Sequence, residues 1–172
     1  MRDMFAVAIA AILGAALPVR AECPLDKIDA ALASSTQGLK TLERDVSDVQ
    51  STEGGVWQIY REKDGRVHSI IRIDAGEMGR NDTRLSMVNR NTYGISSTRI
   101  DYLRHAFIED AGPNAEARRT TTNYYFCDGK QYLPPDGMSL LDGDAYKADG
   151  LALQKMMVLH KDVADFTKGL AK

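Results

Sequence analysis

Two cysteines and three histidines are all that 172 residues contain of these types, and each scarcity closes a class of function. There is no Cys-x-x-Cys, so neither a dithiol redox centre nor a zinc ribbon is encoded. His68, His105 and His160 have no pair at i, i+4 and form no His-Glu-x-x-His motif, so no metal site is expected. None of the serines stands in a Gly-x-Ser-x-Gly elbow. Basic residues number 22 against 24 acidic, for a net charge of −2. That balance excludes a dedicated nucleic-acid binder, which carries a strong basic excess. The chain also lacks an apolar run long enough to span a bilayer, which takes about 20 residues.

One shorter apolar run is present, Phe5 to Val19 after Arg2. Its length, with Pro18 and then the small residues Val19 and Ala21 three and one positions before a cut, reads as a signal peptide cleaved after Ala21. The mature chain would begin at Glu22 with a net charge of about −3. Arg20-Ala21-Glu22 before Cys23 does not form a lipobox, so the expected product is a soluble periplasmic or secreted domain, not a lipoprotein and not inserted in the membrane. In an oxidising compartment an even pair of cysteines in a small domain reads as a structural disulfide, here Cys23 with Cys127.

From Leu25 to Val49, apolar residues recur at steps of three and four, predicting an N-terminal helix, or two with a break near Gly38. After Glu53-Gly54-Gly55 the pattern changes to alternating, β-branched and aromatic runs: Val56–Glu62, Val67–Ala75, Thr83–Arg90, Ser97–Ile108, Arg118–Cys127 and a short Lys130–Leu133. Asp64-Gly65 between the first two suggests a tight hairpin in which both central residues take positive φ. In the fifth run Tyr124 and Phe126 share one face, Tyr125 and Cys127 the other. Steps of three and four return between Ala145 and Leu170. The expectation is a signal peptide over 1–21 and a single α+β domain over 22–172. It would comprise an antiparallel β-meander of five or six strands (55–133), covered by an N-terminal helix or two (22–50) and a C-terminal helix (145–170).

Glu53-Gly54-Gly55, Gly76-Glu77-Met78-Gly79-Arg80 and Tyr125-Phe126-Cys127-Asp128-Gly129-Lys130 resemble the turn and strand-end pattern of uncharacterised exported bacterial β-meander proteins and lipoproteins. The resemblance implies the meander and brings no activity, cofactor or site residue with it.

The least ordinary feature is the arginine distribution. Between Arg61 and Arg119 there are ten Arg and one Lys, with Tyr60, Tyr93, Tyr102, Tyr124 and Tyr125 in or near the same region. Arg and Tyr are enriched at binding hot spots, and the planar guanidinium holds carboxylates and stacks on aromatics as an ammonium does not. The leading expectation is a non-enzymatic module that docks an envelope protein or glycan on an exposed sheet face bearing Arg72, Arg84, Arg104 and Tyr102. The alternative for these arginines is pairing with Asp74, Asp82, Asp101 and Glu62 on a solvated face.

Two other classes stay open. One is a hydrolytic enzyme built from acids such as Asp74, Glu77 and Asp101 with His68 or His105. The other is a carrier of a small apolar ligand, for which Met78, Met87, Met156 and Met157 are suggestive. Asp136, Asp142, Asp144 and Asp149 do not follow a calcium-loop spacing. No cofactor is implied, and the oligomeric state is not encoded in any visible pattern.

Overall fold

A computed structural model describes residues 22–45, 54–103, 115–134 and 143–158. The apolar segment at 5–19, the cleavage position, Arg104, His105, His160, Asp136, Asp142 and the helical pattern beyond 158 lie outside the described residues. The elements run α1 (Leu25–Ala33), β1 (Lys40–Asp45), β2 (Gly55–Arg61), β3 (Val67–Gly76), β4 (Gly79–Asn89), β5 (Thr92–Tyr102), β6 (Glu116–Cys127), β7 (Lys130–Tyr132) and α2 (Gly143–Met157). The strands form one antiparallel meander in sequence order, β1 to β7.

The meander therefore has seven strands where five or six were expected. The extra one is β1, which lies in the stretch read as helix. Ser34 leaves the helical region (ψ 141), Gly38 takes a left-handed φ of +78°, and the chain returns to pair Lys40–Asp45 against Arg61–Val56. Ser34, Ser35, Thr36 and Gly38 are weak helix formers that invite this break. All six residues of β1 are exposed, so the strand is held by backbone pairing with β2 and carries no period-2 apolar signal.

The hairpin turns also sort differently from the expectation. At Asp64-Gly65 only Gly65 has positive φ, at +88°. The Glu62 carbonyl accepts from the Gly65 N–H at 3.0 Å, and the Glu62 N–H donates to the Arg66 carbonyl at 2.9 Å. This is a longer loop closed by a left-handed glycine, not a two-residue primed turn. Asp128-Gly129 is the primed turn, with φ of 54° and 73°, between the paired Cys127 and Lys130. Strand β5 begins at Thr92, five residues earlier than the alternation suggested, because Asn89 turns the chain by accepting the Asn91 N–H on its side chain at 2.9 Å.

Successive residues of a strand point to opposite faces, and the two helices take one face each instead of sharing one. On β6, the Tyr125 hydroxyl donates to Asp29 of α1 at 2.9 Å, while Tyr124 stacks on Tyr146 of α2 with ring centroids 4.7 Å apart. The larger core lies on the α2 face. There Trp57, Ile59, Ile70, Leu85, Ile95, Tyr93, Tyr124 and Phe126 pack with Tyr146 and Met157, and Gln154 donates to the Tyr93 hydroxyl at 2.6 Å.

On the other face α1 lies in a slot made by small side chains. Ser69, Ser86 and Gly94 are in register across β3, β4 and β5, and Ile28 and Leu32 fill the slot above them. A Cβ on Gly94 would stand 2.6 Å from the Ile28 side chain and 2.7 Å from Leu32. Gly94→Ala is accordingly expected to destabilise by about 1 to 3 kcal/mol through overpacking, seen as a lower urea midpoint with an unchanged slope. An unshifted midpoint would mean that α1 is not seated there. The start of α1 is tied by the bridge between Cys23 and Cys127, whose Cα atoms are 5.7 Å apart, within the range a disulfide spans.

Candidate binding surface

Arg72, expected on an exposed face, is on the α2 face but buried, with 5% of its surface accessible. Its Nε donates to both Asp74 oxygens at 2.9 and 3.0 Å, and its guanidinium lies 5.4 Å from the centre of the Trp57 ring. Arg84 is half-buried on the opposite face, beneath the end of α1. It donates to the Ser34 carbonyl at 2.7 Å and to the Ser86 hydroxyl at 3.0 Å, so it satisfies a carbonyl that the ended helix leaves open. These two arginines hold the fold together and do not form a common open face. Tyr102 is half-buried at the end of β5, where its N–H donates to the Met78 carbonyl at 2.9 Å.

Four other arginines gather at the far end of β5 and β6, while Arg66 and Arg90 stand exposed at the opposite end of the sheet. Asp101 accepts from Arg99 at 2.8 Å and from Arg118 on the neighbouring strand at 2.9 Å, and those two side chains are 67% and 71% exposed. On the other face Arg119 pairs with Glu116 and Arg80 with Asp82 at 3.1 Å. Beside them stand exposed Met78, on the β3–β4 turn, and Leu103, just past β5. Two arginines on one carboxylate leave the Asp101 group with a net positive charge.

Three of the ten arginines thus share one local device. Arg72-Ile73-Asp74, Arg80-Asn81-Asp82 and Arg99-Ile100-Asp101 place an arginine and an aspartate two positions apart on one strand face. The triplet is legible in the sequence, and a search for i, i+2 charge pairs finds it. The sequence does not say which triplet is covered.

The surroundings of the carboxylates separate them. Hydrogen bonds from Arg118 and Arg99 hold the Asp101 carboxyl below the ordinary aspartate range. Burial pushes Asp82 above it, against the opposing pull of Arg80. On acidification Asp82 is therefore expected to protonate before Asp101, which carboxyl-carbon NMR titration reads directly. Asp101 titrating at or above Asp82 would mean that the Arg99–Asp101–Arg118 group does not persist in solution.

Of the features behind the enzyme and carrier readings, Asp101, Glu77 and Met78 belong to this end, whereas His68 stands near the start of β3 at the opposite end. His68 contacts the Ser69 hydroxyl at 3.3 Å and lines a 390 Å³ cleft with Glu62, Arg66 and Met87. A second cleft, of 660 Å³, opens at the disulfide and the β6–β7 turn. Met157 is fully buried in the core, Met87 and Met156 pack partly buried against it, and Met78 stands exposed on the β3–β4 turn, away from that core. No family model, curated protein or solved structure matches the chain.

Proposed function

We propose that the chain is an exported, non-enzymatic binding module that docks an envelope protein or polymer on the arginine-bearing end of β5 and β6. The observation that carries this is the Arg99–Asp101–Arg118 group. Two largely exposed guanidinium groups are fixed in place by one carboxylate, next to exposed Met78 and Leu103. Preorganised arginines beside apolar side chains are the composition of a binding hot spot, since less side-chain freedom is lost when a partner arrives. Export is supported by the apolar leader and by the paired cysteines. Exported material is expected to have the intact mass of a chain starting at Glu22 and carrying no lipid.

The test of docking is affinity capture from an envelope extract, comparing the natural protein with an Arg99→Glu, Arg118→Glu variant. The variant should fold, because exposed ion pairs contribute only about 0 to 1 kcal/mol each. A component recovered by the natural protein should be depleted in the variant's eluate. Equal recovery by both, or none by either, would sink the assignment.

A further inference from the structure

Strand β6 is twelve residues long, and its outer neighbour β7 only three. Pairing with β7 covers Tyr125–Cys127, and the chain then meets Pro134-Pro135, which has no N–H to continue the ladder. The outer edge of β6 from Glu116 to Asn123 is left without a strand partner among the described residues, and Glu116 to Thr121 are exposed.

The direction of the free groups follows from the turn. Cys127 and Lys130 close a two-residue hairpin, so the backbone groups of Cys127 point toward β7, and in an antiparallel ladder every second residue does the same. Asn123, Thr121 and Arg119 therefore direct their N–H and C=O outward. The Tyr146 hydroxyl confirms the phase by donating to the Asn123 carbonyl from the α2 side at 2.6 Å. The remaining outward groups, the N–H and C=O of Arg119 and Thr121 and the N–H of Asn123, form a template for one added strand.

Edge charge argues for what would fill it. Arg118 stands exposed on one face of this edge and Arg119 on the other, and the segment 116–123 holds two arginines against Glu116. A second copy paired through the same edge would bring like charge to like. Acidic side chains on a neighbouring strand would meet a guanidinium on either face. Resting on the binding-module reading above, we infer that the open edge of β6 binds an extended, acidic polypeptide segment by strand addition.

The probe is the acetylated, amidated octapeptide Thr-Val-Thr-Val-Glu-Glu-Val-Thr, with two controls: the same peptide with Lys for Glu, and one with alternate amides N-methylated so that it cannot donate to the edge. Binding by titration is read together with amide hydrogen exchange of the full mature chain. The acidic peptide is expected to bind at least about tenfold more tightly than the Lys peptide. It should slow exchange at Arg119, Thr121 and Asn123, while the inward amides of Arg118, Thr120 and Thr122 stay as they were.

N-methylation on the edge-facing side and the protein variant Thr121→Pro should each abolish binding. Arg118→Glu, which does not touch the ladder, should weaken it even if the proline variant fails to fold. Absence of peptide binding overturns the inference, as does binding without protection of the three amides or equal binding of the N-methylated peptide. Protection of the same amides without peptide, in a sedimenting dimer, overturns it in favour of a second copy. A partner captured through Arg99 and Arg118 that leaves the three amides unprotected would reject strand addition and leave the binding-module reading standing.

Discussion

Arg72→Ala is expected to cost about 3 kcal/mol of stability, several times what a surface arginine contributes. Removing one member of a buried ion pair strands the other, with typical losses of about 3 to 5 kcal/mol. The Asp74 side chain is 23% exposed and recovers some hydration, which places the loss at the lower end. The cation–π contact over Trp57 is lost as well. Arg72→Lys should recover only part of the stability, because an ammonium lacks the planar face that lies on the indole. Arg72→Leu combined with Asp74→Leu should cost less than Arg72→Ala, since no unpaired charge then remains. Urea midpoints for the three variants check this. A loss below about 1 kcal/mol for the single alanine variant would place Arg72 among exposed pairs.

Removing the disulfide with Cys23→Ala and Cys127→Ala is expected to lower stability by about 2 to 4 kcal/mol. The bridge joins residues 104 apart, so it restricts a large part of the unfolded chain, for which the chain-entropy model allows about 4 to 5 kcal/mol. The bridge-free protein should still fold, because α1 keeps other attachments: Ile28 and Leu32 in their slot, Asp29 to Tyr125, and Arg84 to Ser34. The measurement is the denaturant midpoint with and without the bridge, plus thiol counting on unfolded, exported protein. No thiol should be free. Two free thiols would refute the bridge.

The expected fate of the arginines shows where sequence reasoning stopped. An Arg two positions before an Asp on a strand announces a pair on one face, and this holds for Arg72, Arg80 and Arg99 alike. Burial does not follow from the same letters. Arg72 has 5% of its surface accessible and the Arg99 side chain 67%, a difference decided by what packs over each rung of the sheet. The open edge of β6 lay closer to view. Pro134-Pro135 after a three-residue strand already implied that β7 could not follow its neighbour, but this mattered only once β6 was known to lie outermost but one.

Local chemistry by itself determined the meander order, the turns at Gly76–Gly79 and Asp128-Gly129, the start of α1, the split of Tyr124 and Phe126 from Tyr125, and the pairing of the two cysteines. The Asp128-Gly129 turn depends on φ preference, the split of the aromatic faces on period-2 alternation and the bridge on there being a single possible cysteine partner. Tertiary structure alone decided that Lys40–Asp45 is a strand, that α1 and α2 take opposite faces, and that Arg72 and Arg84 turn inward while Arg99 and Arg118 stay out. A polar edge strand is stabilised by its neighbour's backbone, and a charge is buried or exposed by elements distant in the chain. Neither influence leaves a periodic mark on the residues that receive it.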